Sequence, residues 1–499
     1  MPSRRHSVKF ELSPDFDLAA FVKSFQSAQW RASRGKSGTV RGAVIDTPER
    51  EILSAGLVTL EEGTGARRCR TVWILPKGGG PAERLLRLAG GDAKGLAAQL
   101  AARVHLGLKG ASAPIGRYET STTPIDFVSA AGSVRAIYET MRPQGGDTPA
   151  AVLRLEVTRG NADTLALASG LSRLAPGVGK RVENGPRGLI AVLGITPGPA
   201  ALGKASITRD MTARQAVIEI LRRDYANMLA NEQGARVGLD EEFVHDMRVA
   251  TRRVRAALRM FEKVFAKSSL DRLTQKIKWL ASVLGTVRDL DVYMQAVPDY
   301  LAYAQWEPPD YRFYVEGLAA KRKAAHDALL EALDSQRYAA LKREMETFLA
   351  KPCFSSSSGG IKSIARKRVE SLALKAQSAG DKAKTDEELH AARIAFKRAR
   401  YAAEFTRGLA PKQLGRLARL ATQYQDVLGR HQDATIACDR VREALEAEKK
   451  DRLKAFLLGY LLACQRLSAI ESKREFLGRW RDGGSDEFDA AVKAAVARL

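Results

Sequence analysis

The chain has 499 residues, of which 45% are hydrophobic, and a formal net charge of +24. That length exceeds one ordinary domain, so two or three are expected, in a soluble globular protein whose excess of base favours a polyanionic partner: nucleic acid, an anionic membrane or a phosphate polymer. Four scattered cysteines without a CxxC pair exclude a zinc knuckle and a disulfide framework, and fit a reducing cytoplasm.

Residues 1–200 carry 27 basic and 17 acidic residues, and 201–499 carry 54 and 40, so the basicity is not confined to a tail. The N-terminal 200 residues are rich in Gly, Thr and Pro. Short β-type runs stand at VKFEL (8–12), GLVTLEEG (56–63), CRTVWIL (69–75), VRAIYETM (134–141) and AVLRLEV (151–157). Helical patches intervene at 17–25, 82–104 and 163–174. The mixture indicates α+β with a mainly antiparallel sheet over 1–195, followed by a linker over 196–206. GKSGT (35–39) and GVGKR (177–181) hint at a phosphate-binding loop. Trp30 and Leu174 stand where its first glycine belongs, and neither stretch reads as nucleotide binding.

From Met211 onward the apolar spacing is helical. The run 211–234 begins at a Thr212 cap and is expected to end at Gly234. Breaks are expected near Gly238, over 298–312, at CFSSSSGG (353–360) and at 378–386. AFLLGYLLAC (455–464) is too short for a bilayer span and reads as buried helix. The two halves of this region resemble each other. VHDMRVATRRVRAALRMF (244–261) aligns with LHAARIAFKRARYAAEFT (389–406), offset by 145 residues; VLGTVRDLD (283–291) aligns with VLGRHQDAT (427–435), offset by 144. Two matches at nearly one offset imply a tandem duplication: a first helical bundle over about 207–352 and a second over about 361–499.

At about 100° per residue, His245, Arg248, Arg252, Arg255 and Arg259 share an arc of roughly 80°. Val244, Met247, Val254, Leu258 and Phe261 form a separate apolar arc, and Arg253 lies off the stripe. The second copy repeats the spacing with His390, Arg393, Lys397 and Arg400, over a smaller packing face. A solvated face is the ordinary explanation of a charge run. Here no acids are interleaved, and like charges at i,i+3 and i,i+4 each cost a few tenths of about 1 kcal/mol. Unfavourable charge that occurs twice calls for an anion to neutralise it. Arginine suits phosphate because its planar fork binds two oxygens at once. The two histidines either bind the same anion or brace the bundle. Asp289 and Asp433 are expected to hold helices together through arginines, and Arg288, Arg430 and His431 to extend the basic surface.

The HxxR…[RK]R.R helix, its second copy and the LGxxRDxD element resemble the CHAD family, the conserved-histidine α-helical domain, over about residues 205–499. The resemblance implies an all-α domain of two pseudo-symmetric four-helix bundles with inorganic polyphosphate in a central basic groove. It places that role on His245, Arg248, Arg252, Arg253, Arg255, His390, Arg393, Lys397, Arg398 and Arg400. Arg259 joins them from the stripe.

DTPEREILSAGLVTL (46–60) resembles the YFDTPDxxLxxxGxxLRxR stretch of the CYTH family of triphosphate tunnel proteins, and 153–171 and 179–194 are similar to its later elements. The resemblance implies an antiparallel β-barrel whose bore holds triphosphate and a divalent metal. This copy departs from the pattern at the chemistry. RHSVK (Arg5, Ser7, Lys9) replaces ExExK, LVTL replaces LRLR, and Arg154 stands beside Glu156. Clustered carboxylates for Mg²⁺ or Mn²⁺ cannot be assembled. The reading is a degenerate domain without catalytic residues, metal or cofactor, in which Lys9, Arg68 and Arg70 hold an anion only weakly. The function expected is non-enzymatic polyphosphate binding in the cytoplasm, at polyphosphate granules and with other granule proteins as possible partners, without membrane insertion. Two alternatives remain open: a metal-dependent triphosphatase acting through the N-terminal domain, and a non-specific nucleic-acid binder.

Overall fold

The computed structural model describes residues 7–13, 15–63, 68–77, 82–89, 93–130, 132–144, 150–159, 162–182, 191, 193, 195, 198, 203, 205–303, 312–355, 360–448 and 451–499. Two compact units are present: Met1–Ala200 with Ala230–Phe243, and Ala201–Leu229 with Val244–Leu499. Arg5, the linker over 196–206 in large part, and the serines at 356–358 lie outside the described residues.

The first unit is built on one antiparallel sheet. Its strands are β1 (Ser7–Leu12), β2 (Arg31–Arg34), β3 (Gly38–Asp46), β4 (Leu57–Glu62), β5 (Cys69–Ile74), β6 (Glu83–Ala89), β7 (Ala113–Ser129), β8 (Gly132–Pro143), β9 (Ala150–Arg159) and β10 (Val178–Val182). They pair in the order β10-β1-β9-β8-β7-β3-β4-β5-β6, with β2 also on β7. Side chains alternate between the faces. One face presents Phe10, Phe127, Val134, Leu153 and Leu155 to α1 (Leu18–Ser27) and α4 (Ala162–Ser172), where Phe21 and Phe25 complete a dry core. On the β3–β6 side, Ile45, Leu57 and Val72 pack with α2 (Glu51–Ser54) and α3 (Ala93–Val104).

The DTP element is a structural brace. Asp46 is fully buried, and its carboxylate accepts from the backbone N–H groups of Thr47, Ile52 and Leu53 at 2.7–2.9 Å, which caps α2. Glu51, also buried, accepts from Lys109 N and Gly110 N.

Several expectations for this unit need correction. The first part of the expected helix 82–104 is strand β6, because pairing with β5 places Leu86 in the core; only 93–104 is helical. The long strand β7 escaped notice because Pro114 and Pro124 interrupt its alternation. GKSGT runs into β3 and GVGKR into β10. Gly234 does not end a helix. It lies inside α6 (Glu232–Val237), where a Cβ would stand 2.0 Å from the Phe243 ring.

The second unit is helical. Its elements are α5 (Ala213–Ala230), α7 (Glu241–Met260), α8 (Lys267–Tyr303), α9 (Arg312–Asp334), α10 (Gln336–Ala350), α11 (Ile361–Lys382), α12 (Asp386–Phe405), α13 (Pro411–Ala447), α14 (Arg452–Arg479) and α15 (Ser485–Arg498). The duplication is visible in the boundaries. Both ends of α7 and α12 differ by 145 residues, and both ends of α8 and α13 by 144. Each half is a four-armed bundle whose last arm is broken once. In the first half the break is at Ser335, whose side chain caps α10; in the second it is at Asp482 and Gly483, which leave helical φ/ψ. The halves share a core in which Leu290, Val297 and Leu318 meet Val441, Leu457 and Leu461.

Two helical expectations also change. Helix α8 continues through Pro298 to Tyr303, and residues 304–311 of the expected break lie outside the described residues. AFLLGYLLAC is buried on one side only: Leu457, Leu458 and Leu461 are in the core, while Phe456 is 58% exposed. It belongs to the 452–498 stretch, which by length and composition alone is apolar enough to cross a membrane.

Candidate polyanion-binding groove

The two short helices that carry the basic stripes are held by their opposite faces. Val244, Met247, Val254, Leu258 and Phe261 are all buried, as are Leu389, Ala392, Phe396, Ala399 and Ala403. Helix α7 begins with Glu241 and Glu242 and ends with Arg259, which suits the helix dipole. Helix α12 starts in a capping box between Thr385 and Glu388. With the apolar faces fixed, the basic stripes of the two copies are brought together.

Lys397 is the centre of that meeting. Burial, followed by the guanidinium groups of Arg252, Arg393, Arg248 and Arg255, pulls its ammonium down to about 7. Both helices contribute these cations, which are the charges that act most strongly on the lysine. Arg255 is also held below its ordinary value, by burial and by Arg259 and Arg398. Arg248 is lowered chiefly by burial, with Arg252 and Arg393 adding to it. The buried Nε of Arg393 has no hydrogen-bond partner among the described residues. A buried donor left unpaired is costly and marks a place where an acceptor can be gained.

Two cavities open along this line of charge. One, of about 340 Å³, is lined by His245, Arg248, Arg288, Arg393, Arg430 and Arg440 together with Asp289 and Asp433. The other, of about 450 Å³, lies toward the C-terminal ends of α7 and α12 and is lined by Arg252, Arg255, Arg259, Arg368, Lys397 and Arg398. Arg248 is paired with Asp289 at 3.6 Å. Burial raises the Asp433 carboxyl, and the nearby Asp289 adds to this against the pull of Arg393. Asp289 thus meets an arginine of another helix, as the sequence led one to expect, and Asp433 lines the same cavity as Arg393. The LG glycines lie beside the arginines: a Cβ on Gly285 would stand 3.8 Å from Arg248 Nε and one on Gly429 3.9 Å from Arg393 Nε, ordinary contact distances, so a longer side chain there would meet the guanidinium groups.

Residues 219–442 match the family described as the CHAD domain. This segment is a CHAD domain. An uncharacterized protein of Mycobacterium tuberculosis (strain CDC 1551 / Oshkosh) is 28% identical over 353 residues, which is 69% of this chain and 65% of the relative. The chain therefore spans just under two thirds of that relative's length. The CHAD domain from the plant Ricinus communis is similar at 26% identity over 56% of this chain and 97% of its own, with a TM-score of 0.47. At the N-terminal part, a Hippeastrum protein whose description gives it a dominant triphosphatase activity is similar at 10% identity, over 38% of this chain and 94% of its own, with a TM-score of 0.27.

Within the CHAD domain the two copies are not used alike. Arg253 is a brace: its guanidinium bonds Asp224 at 2.8 Å and Glu404 at 2.7 Å and lies 4.9 Å over the Phe405 ring. Its counterpart Arg398 is exposed and lines the larger cavity. Arg255 lines that cavity, whereas its counterpart Arg400 pairs with Glu404 at 3.6 Å and packs on Tyr401. Arg253 and Arg400 thus both engage Glu404 and brace the helices, although the buried Nε of Arg400, like that of Arg393, has no hydrogen-bond partner among the described residues. His431 is buried, with Nδ1 on the Ala469 carbonyl at 3.0 Å and Nε2 at 3.3 Å from Asp386. Arg430 is tied to Glu475 at 2.6 Å. His390 is exposed and bonds Gln432, while His245 lines the smaller cavity.

Three groove residues were not singled out from the sequence. Tyr401 is buried, accepts from Arg252 Nε at 2.6 Å, and has Arg252, Arg253 and Arg400 within 6.0 Å of its ring. Arg368 donates to the carbonyls of Arg259 and Met260 and to Glu262, which ties the end of α7 to α11. Arg440 donates to the Asp289 carbonyl. The positions matching Tyr401 and Arg440 are Ala256 and Ala296, so the duplication gave no signal for either.

In the sheet unit, Ser7, Lys9, Arg154, Glu156, Arg135 and Asp126 share the face away from α1 and α4. Three acids there are paired, Glu139 with Lys9 at 3.7 Å, Glu156 with Arg154 at 3.3 Å and Asp126 with Arg135 at 2.7 Å; Glu11, in register with Val152 and so on the same face, is exposed, and Glu62 accepts from the Tyr118 hydroxyl. Val58 and Leu60, at the LVTL positions, are buried beside Tyr118 and Met141. Arg68 and Arg70 pair with Glu61. By register Arg70 lies on the opposite face from Lys9, so these three bases form no joint anion site.

Proposed function

We propose that the CHAD domain binds inorganic polyphosphate along the groove between α7 and α12. The observation that carries this reading is Lys397 set among Arg248, Arg252, Arg255 and Arg393 with no acid prominent among its neighbours. A flexible polyanion supplies the missing negative charge at several points at once. Binding should therefore strengthen with chain length, through multivalency, and weaken with salt, through counterion release. Calorimetry in about 0.15 M salt with long-chain polyphosphate, triphosphate and orthophosphate tests it. Equal affinity for the longest and shortest of these would sink the reading. The variant Arg252→Glu with Arg398→Glu should lose binding at unchanged helix content.

The sheet unit is proposed to be catalytically silent. Support comes from the paired acids on its polar face and from the apolar cluster around Val58 and Leu60. Phosphate release from triphosphate with Mg²⁺ or Mn²⁺, lost on Glu156→Gln, would overturn this. A place at polyphosphate granules in the cytoplasm, with granule proteins as partners, is part of the same proposal. A fluorescent fusion that fails to follow a polyphosphate stain would remove it.

A further inference from the structure

We propose that the cavity at the C-terminal ends of α7 and α12 is a subsite for a nucleoside polyphosphate, a ligand joining a flat apolar group to a phosphate chain. This rests on the groove being a phosphate-chain site, and adds a second ligand class to it. The two cavities differ in chemistry. The smaller one interleaves its arginines with Asp289 and Asp433. The larger one has a basic rim over a floor of Met260, Leu372 and Ile394. Its one acid, Glu262, is tied to Arg368 at 2.8 Å, so the rim keeps a strong positive field.

A bare phosphate chain has no use for that floor. Pressing hydrated phosphate oxygens against Leu372 and Ile394 strips water without returning hydrogen bonds. Both residues are half-buried beside the bases that would hold the chain. A nucleobase satisfies both halves of the cavity. Its edge and faces cover the floor, and its π-face accepts the planar guanidinium of Arg259 or Arg398, both exposed at the rim. The phosphates then run toward Arg252 and Lys397. At about 450 Å³ the cavity is in the size range of organic-ligand sites.

The test titrates the whole chain with adenosine 5′-tetraphosphate, inorganic tetraphosphate and long-chain polyphosphate. The two tetraphosphates differ in the nucleoside and in the one terminal negative charge that its ester bond removes, so charge alone favours the inorganic chain. Covering the apolar floor should make adenosine tetraphosphate bind about fivefold or more tightly than the inorganic chain. Leu372→Gln and, separately, Ile394→Gln should erase that advantage while the affinity for long-chain polyphosphate changes less than about twofold. Helix content and melting temperature report whether each variant folds. Equal affinity of the two tetraphosphates, or an advantage that survives both substitutions, would overturn the subsite while leaving the groove standing. Failure of polyphosphate itself to bind would remove both.

Discussion

Neutralising Lys397 should stabilise the empty protein while weakening its grip on polyphosphate. Burial and four guanidinium groups hold its ammonium at about 7, against an ordinary 10.5. A base whose folded pKa is depressed penalises folding fully below about pH 7, and the penalty fades as pH rises toward 10.5. At pH 7 the linkage ceiling is ~4 kcal/mol. The side chain is half-buried and the arginine contribution is screened by salt, which reduces the expectation to roughly 1–2 kcal/mol. Lys397→Met keeps the apolar stem and removes the charge. Thermal unfolding at pH 7 in low salt should then rise by roughly 2–6 °C. The gain should shrink at pH 9 and reverse when saturating polyphosphate is present. A Lys397→Met protein that melts lower than the parent without ligand would refute the account of an uncompensated charge cluster.

The same group sets a pH dependence. Polyphosphate selects the protonated lysine, so affinity should fall as pH rises above about 7, by up to about tenfold per unit; Lys397→Arg should flatten the slope in calorimetry. Arg253 should behave differently from Arg252. Arg253→Gln leaves buried Asp224 without its guanidinium and should cost about 3 kcal/mol in denaturant unfolding, with polyphosphate affinity changed less than about twofold. Gly285→Leu with Gly429→Leu should raise helix propensity yet crowd Arg248 and Arg393, so that binding drops about tenfold while helix content holds. In the sheet unit, Asp46→Leu removes the acceptor for three backbone N–H groups and should destabilise that unit by about 2–4 kcal/mol, read as an earlier unfolding transition.

Much of the helical unit was legible because the sequence states it twice. The offsets of 145 and 144 residues between the motifs reappear as the offsets between helix ends. The packing faces of α7 and α12 followed from spacing, since an apolar arc has one destination in a bundle. Periodicity does not say which acid a basic side chain meets. Arg253 and Arg398 occupy matching positions, yet Asp224 and Glu404 claim the first alone. Tyr401 was hidden because its role depends on three arginines, two of which, Arg252 and Arg253, reach it from the neighbouring helix. In the sheet unit, strands with clear alternation were readable. Strand β6 was not, because its register with β5, a long-range fact, overrides a locally helical leucine pattern.

The most direct test of the central claim is a crystal structure of the whole chain grown with long-chain polyphosphate. Continuous density for a phosphate chain between α7 and α12, in contact with Arg252, Arg393 and Lys397, is the predicted result. A chain bound to the sheet unit, or elsewhere on the helical surface with the groove bare, would contradict it.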